Sequence, residues 1–134
     1  MNNHAHLILS SRDVERIEAL LDDMPVGAFQ DRIALMDELD RADIRPPEDI
    51  PPDVVTMNST VRFAMAAPRK EFCLTLVYPE DAGGADRISV FAPVGSALLG
   101  LSAGATIEWP RPRGGTLSID ILEVVAQPER AVVR

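Results

Sequence analysis

The sequence predicts an α+β protein in which a short helical hairpin precedes a small, twisted, antiparallel β-sheet that carries one short helix. Apolar residues recur with helical spacing across residues 10–43, and from Val54 onward they recur at every second position instead. Four prolines between residues 46 and 52 separate the two patterns, and proline favours a stiff, extended connection. We therefore expect a hairpin over residues 1–45, a linker over 46–53 and a sheet domain over 54–134.

The first helix is predicted over residues 10–24. Ser10 can accept hydrogen bonds from the N–H groups of the first turn, and Asp13 can reach back to complete a short capping box. Pro25 and Gly27 then end the helix. The apolar stripe that would face a partner comprises Val14, Ile17, Leu21 and Met24.

The second helix is predicted over residues 29–43, and a tight turn between the two apolar stripes predicts an antiparallel hairpin, a short coiled coil. Residues 1–45 hold ten acidic side chains against five arginines. Asp22 and Asp23 lie at the predicted tip of the hairpin. The plain interpretation is that they are ordinary solvent-exposed acids at the end of a helix. The stripe of the second helix comprises Phe29, Ile33, Met36 and Leu39, with Leu35 as a further candidate.

Five strands are predicted near residues 61–65, 72–78, 88–90, 107–109 and 117–124. Apolar residues on both faces of residues 72–78 predict a central strand with Cys73 in the core. In the last strand the apolar positions change parity between Ile121 and Leu122, which predicts a bulge or a strong bend.

The chain passes from a strand into a short helix at residues 88–101. Pro93 suits the first turn of a helix, where its missing N–H costs nothing, and Gly100 and Gly104 suit the helix exit. The plain interpretation is a strand–helix corner that packs into the core, and the more specific one is an edge that docks a protein. Helical spacing of three and four residues links Val94, Ala97, Leu98 and Leu101.

The run Ala92-Pro93-Val94-Gly95-Ser96-Ala97-Leu98-Leu99-Gly100 resembles the Ser-Pro-x-x-x-Ala-Leu-Leu-Gly signature of Gre-type transcript cleavage factors. With the sequences DVVTMNS at 53–59 and LVYP at 76–79, it is similar to the branch of regulators of nucleoside diphosphate kinase. The resemblance covers about residues 12–128. It implies an FKBP-like sheet domain that docks on a coiled coil at the rim of the secondary channel of bacterial core RNA polymerase. The implied docking residues are Phe91, Ala92, Pro93, Val94 and Ser96.

The resemblance further implies a cytoplasmic, non-enzymatic regulator of transcription elongation that competes with Gre factors and influences nucleoside diphosphate kinase indirectly. In Gre factors, acids at the tip of a longer hairpin help to hold a metal ion at the polymerase active site. The hairpin here is too short for that reach, so the cleavage role is not transferred to Asp22 and Asp23. Two alternatives stay open: an FKBP-like prolyl isomerase or chaperone, and an adaptor that binds another protein through the acidic hairpin.

Composition excludes several other classes. A net charge of −8 argues against free or sequence-specific binding to nucleic acid, which needs clustered Lys and Arg, and fits a basic partner surface. A single cysteine allows no internal disulfide and fits a reducing compartment. No apolar run approaches the roughly 20 residues of a membrane span. The chain has histidines only at His4 and His6 and a single lysine, Lys70, so we expect no catalytic residue, metal or cofactor. We also expect the protein to be a monomer.

Overall fold

The computed structural model describes residues 7–24, 32–65, 69–110 and 116–128. Within them two helices precede the main run of strands, as the sequence predicts, but the short strands Ile8–Ser10 and Asp43–Arg45 flank those helices and were not predicted. Short 3-10 turns occupy Pro47–Asp49 and Pro79–Asp81. The elements are β1 (Ile8–Ser10), α1 (Ser11–Asp23), α2 (Arg32–Arg41), β2 (Asp43–Arg45), β3 (Thr60–Met65), β4 (Lys70–Val77), β5 (Arg87–Ser89), α3 (Pro93–Leu98), β6 (Thr106–Pro110) and β7 (Thr116–Ala126).

The main sheet has five strands in the order β5-β4-β3-β7-β6. It is largely antiparallel, as predicted, but β4 and β5 run parallel at one edge. The prediction that both faces of β4 are buried is wrong at Cys73, which is exposed. Cys73 lies opposite Arg62, and Arg62 forms ion pairs with Glu71 and Glu123. That face of the sheet is therefore polar and meets water.

The predicted bulge in the last strand is confirmed. Arg62 pairs with Glu123 while Phe63 pairs with Ile121, so Leu122 is an extra residue in β7. A bulge bends its strand and increases the local twist. Val124 consequently occupies a buried position that strict alternation from Ile121 would have denied it.

The first helix begins and ends close to where the sequence predicts. Ser10 is its N-cap, and the Ser10 hydroxyl accepts hydrogen bonds from the N–H groups of Arg12 and Asp13. The second helix ends at Arg41, earlier than predicted, because Asp43 belongs to a strand. Among the side chains of α2 that the structure describes, residues 35–41, Leu35 and Leu39 are buried, whereas Met36, predicted to lie on the apolar stripe, is 39% exposed. The turn predicted to join the helices, residues 25–31, lies outside the described residues.

A second, two-stranded sheet is not predicted by the sequence pattern. It joins β1 and β2 in parallel, across more than thirty residues of chain. An isolated strand pair is marginal in water, but here the N–H of Ile8 also donates to the carbonyl of Gly100 at 3.1 Å. The segment before α1 is thereby attached to Gly100, two residues beyond the end of α3.

One hydrophobic core runs through both halves of the chain, so the helices are not a free arm. The linker packs as well: Ile50 is buried against Ile8 and Val54, and the Gln127 amide donates to the carbonyls of Pro51 and Val54 at 2.9 and 2.7 Å. Direct packing, and not proline stiffness alone, holds the helices in place. The shared core includes Val14, Ile17, Leu21, Leu35 and Leu39 from the helices, and Val55, Met57, Phe63, Leu76, Leu98 and Ile119 from the rest.

Candidate functional site

The strand–helix corner between β5 and α3 is closed by hydrogen bonds that Ser89 accepts. Its hydroxyl accepts from the N–H of Phe91 and its carbonyl accepts from the N–H of Ala92, both at 3.0 Å. The N–H of Val90 donates to the carbonyl of Val77 at 2.9 Å. The corner is thus held both by its own turn and by the end of β4.

Gly95 brings α3 into direct contact with the end of β5. A Cβ atom at this position would lie 2.0 Å from the carbonyl oxygen of Ser89 and 2.9 Å from its carbonyl carbon. Backbone atoms cannot yield as a flexible side chain could, so only glycine fits without moving the helix. The sequence carries a signal for this contact, because glycine inside a predicted helix costs about 1 kcal/mol relative to alanine and needs a packing reason.

The residues expected to dock differ in accessibility. Phe91, Ala92 and Val94 are partly exposed, and Pro93 opens α3 as predicted. Ser96 is only 3% exposed, which leaves its side chain little surface for a partner, and its role in docking stays a prediction. The side chains of the corner that are described as accessible, Phe91, Ala92 and Val94, are therefore all uncharged.

Gly100 ends the helix in the way that the sequence predicts, with φ at +84°. Its N–H donates to the carbonyl of Val55 at 2.8 Å. A Cβ atom here would lie 3.0 Å from Leu9 and 3.3 Å from Leu7. The exit of α3 is therefore packed against the segment that leads into α1.

Asp22 and Asp23 are exposed at the C-terminal end of α1. Negative charge is unfavourable there because it meets the negative end of the helix dipole, and the last turn holds no basic residue to offset it. The part of the chain that the structure describes contains no group of three or more His, Cys, Asp or Glu side chains that could hold a metal. His4 and His6 lie outside that part.

Asp13 is a site residue whose role the sequence analysis missed. It is 6% exposed, and its carboxylate accepts hydrogen bonds from the N–H of Met57 at 3.1 Å and from the hydroxyl of Tyr78 at 3.4 Å. The predicted role was a local one, in the capping box of its own helix. A usable signal exists: Asp13 precedes Ile17 by one helical turn, which places a carboxylate on the apolar stripe.

Arg16 adds a second link between α1 and the sheet. Its guanidinium lies 4.0 Å from the centroid of the Tyr78 ring, and it pairs with the carboxylate of Glu80. Tyr78 directly follows Val77, the residue whose carbonyl holds the corner. The β5–α3 corner and the helices are therefore positioned by the same end of β4.

Among the described helices, none is both long enough and apolar enough to cross a membrane.

Two family models match adjoining parts of the chain. The model described as "Transcription elongation factor, GreA/GreB, C-term" matches residues 50–126, and the model described as "Rnk N-terminus" matches residues 6–44. Residues 50–126 include the corner, Met57 and Tyr78, whereas residues 6–44 include Asp13 and Arg16. The interface centred on Asp13 therefore joins the two matched regions.

Known proteins are similar to most of the chain. The regulator of nucleoside diphosphate kinase from Escherichia coli K12 is 42% identical over 126 residues, 93% of each chain. Transcription elongation factor GreA from Azorhizobium caulinodans is 33% identical over 95 residues, 69% of this chain and 60% of that protein. The solved structure of a prokaryotic transcription elongation factor GreA/GreB from Nitrosomonas europaea is 52% identical, with a TM-score of 0.74 over 92% of this chain and 100% of that one.

The match in structure confirms a GreA/GreB-like fold, and the relatives agree with the resemblance read from residues 92–100. The chain belongs to the family of regulators of nucleoside diphosphate kinase and joins that family's N-terminal region to a GreA/GreB C-terminal domain.

Proposed function

We propose that this protein is a non-enzymatic transcription regulator that binds bacterial core RNA polymerase at the rim of the secondary channel. There it modulates elongation and competes with Gre factors. The observation that carries the proposal is the shared end of β4, where Val77 holds the corner and Tyr78 contacts α1. A partner that binds the corner therefore meets the helices at a set angle.

The proposed contact surface is the corner from Phe91 to Val94. Ala92 and Val94 have few rotatable bonds, so docking them costs little side-chain entropy. Residues 91–94 contain no ionisable group, and screening by salt acts mainly on exposed charges. Binding at this edge is expected to tolerate salt.

The helices are proposed to point into the channel without cleaving RNA. The 13 residues of α1 span about 20 Å at 1.5 Å per residue, which leaves Asp22 and Asp23 short of a distant active site. The effect on nucleoside diphosphate kinase is then indirect. The proposal includes a helical hairpin over residues 1–45, a linker over 46–53 and a sheet domain of the FKBP-like class over 54–134. It also includes a monomeric state and a cytoplasmic location.

The alternatives are less favoured. A prolyl isomerase needs accessible aromatic side chains around its substrate, whereas Phe63 and Tyr78 are buried and Phe63 stacks on Phe72 with ring centroids 5.4 Å apart. The relatives are described as regulators or elongation factors, which supports polymerase over an unrelated partner for the acidic helices.

The proposal is tested by displacement of a fluorescent Gre factor from core polymerase. Ala92→Asp places a charge in the contact surface, while aspartate at this N-cap position favours the start of α3, which has no side-chain cap. We expect at least about tenfold weaker displacement, equivalent to about 1.4 kcal/mol. Val125→Asp is the matched control, because Val125 is 45% exposed on β7, and it should compete like the wild type. Equal competition by a folded Ala92→Asp variant would place the docking surface elsewhere.

A further inference from the structure

The apolar contact between α1 and the sheet does not by itself define one direction for the helix. Val14, Ile17 and Leu21 belong to the shared core, but the hydrophobic effect depends on buried area and is not directional. Small rotations or shifts of such an interface can bury similar area. A polar group with fixed geometry adds a directional constraint that favours one of these arrangements.

Asp13 supplies that geometry. A buried carboxylate is costly unless its oxygens accept hydrogen bonds, and those of Asp13 accept from the N–H of Met57 and from the hydroxyl of Tyr78. The 3.1 Å bond is well formed, whereas 3.4 Å is long for an O–H donor. The backbone bond to Met57 is therefore the stronger constraint.

The turn that contains Met57, the hydrogen-bond partner of Asp13, is itself rigid. Met57 lies in a turn closed by hydrogen bonds between Thr56 and Ser59. Asn58 follows with φ at +67°, and its N–H donates to the carbonyl of Leu76 at 2.6 Å. Since the turn is tied to β4, a helix bonded to Met57 is aligned with the main sheet.

We infer that Asp13, bonded to the Met57 N–H and the Tyr78 hydroxyl, is a positioning residue that locks the direction of α1 relative to the corner. Arg16 reinforces the lock through the Tyr78 ring and Glu80. The locking needs only the contacts described. The functional role of this lock would be to present the helices and the corner to polymerase as one surface, and that role rests on the proposed function.

The lock is tested by a distance measured in the whole protein between two spin labels. Cys73 is exposed and is the one cysteine of the chain, and Glu18→Cys adds a second exposed site on α1. We expect a narrow distance distribution with native Asp13. In Asp13→Ala it should broaden or gain a second population. In Asp13→Asn, whose amide can accept from Met57 and donate to Tyr78, it should stay narrow.

A control separates loss of direction from loss of stability. Ser10→Ala removes the N-cap of α1, which weakens the helix but leaves Asp13 in place, so its distribution should stay narrow. A folded Asp13→Ala protein with the native distribution overturns the inference.

If Asp13→Ala does not fold, Asp13→Val decides the question, because valine fills more of the buried site but cannot accept from the N–H of Met57 or the hydroxyl of Tyr78. It should broaden the distribution measurably. Arg69→Gln is its control, because Arg69 forms an exposed ion pair with Asp120 on the sheet. A distribution as narrow in Asp13→Val as in Arg69→Gln overturns the inference.

Polymerase binding is measured separately, so the lock and the proposed function can fail independently. If both hold, Asp13→Ala competes about tenfold less well than Asp13→Asn. A broadened distance with full competition by both Asp13→Ala and Ala92→Asp would contradict the proposed docking and leave the lock intact. A native distance with competition lost only in Ala92→Asp would contradict the lock and leave the docking intact.

Discussion

The β5–α3 corner and the interface centred on Asp13 are both attached to the end of β4, but different forces hold them. The corner is closed by backbone contacts among residues 89–95, with Gly95 against Ser89. The helix interface depends on one buried carboxylate whose partners are 44 and 65 residues away. Apart from the bond between Val90 and Val77, the contacts that fix the corner are local and steric, whereas the directional contacts at the helix interface are long-range and polar.

The comparison predicts that substitutions at the corner destabilise the fold more than substitutions at the helix interface. Gly95→Ala should lower the free energy of unfolding by about 3 kcal/mol, because the new methyl group meets backbone and α3 has to move. Denaturation in urea measures the loss. Gly83→Ala is the control, since no atom lies within 4 Å of a Cβ atom there, and an equal loss in both variants would contradict the steric explanation.

The polar interface should tolerate truncation better. Asp13→Ala is expected to lower the free energy of unfolding by about 2 kcal/mol, the cost of leaving the buried N–H of Met57 without its acceptor. The same urea titration measures it. Tyr78→Phe should cost less, since its bond to Asp13 is long. A larger loss in Tyr78→Phe than in Asp13→Ala would reverse the assigned importance of the two bonds.

Glu38 tests whether the burial of a charged side chain on α2 destabilises the folded protein. Burial raises the pKa of Glu38 from 4.5 to about 7, and Arg41 opposes the rise only in part. The folded state thus favours the protonated acid, so its stabilising contribution is complete below pH 4.5 and is lost as the pH rises to about 7.

Glu38→Gln should therefore leave stability almost unchanged at pH 4.5 and raise it at pH 8. We expect a gain of about 1–2 kcal/mol, less than the full pKa shift would give, because water screens this half-buried group. Thermal melts at the two pH values measure the difference. Asp37→Asn, at an exposed neighbour, is the control. An equal gain at both pH values would contradict the assignment to Glu38 ionisation.

The smallest expected effect on stability is at the corner surface. Ala92→Asp should raise the free energy of unfolding by about 0.5–1 kcal/mol through a new N-cap bond, even as it weakens docking. Thermal denaturation at low salt measures the gain. A clear loss of stability would mean that the Ala92 methyl group packs more tightly than its partial exposure indicates.

Local chemistry determined the features that the sequence alone predicts correctly. Ser10 caps α1, Pro93 opens α3, Gly100 closes it, and the parity change at Leu122 marks the bulge in β7. Each depends on atoms within a few residues, so spacing and residue type suffice to reveal it. The docking role of the corner rests on a resemblance in nine consecutive residues and stays a prediction.

Tertiary structure alone decided which surfaces meet. Cys73 faces water because one face of β4 is covered by ion pairs and not by core, and Ser96 is buried although its neighbours are accessible. The pairing of β1 with β2 and the partners of Asp13 join residues that are more than thirty positions apart. Local periodicity indicates which residues are buried, but it does not indicate which distant residues they contact. Those contacts depend on how the complete core packs.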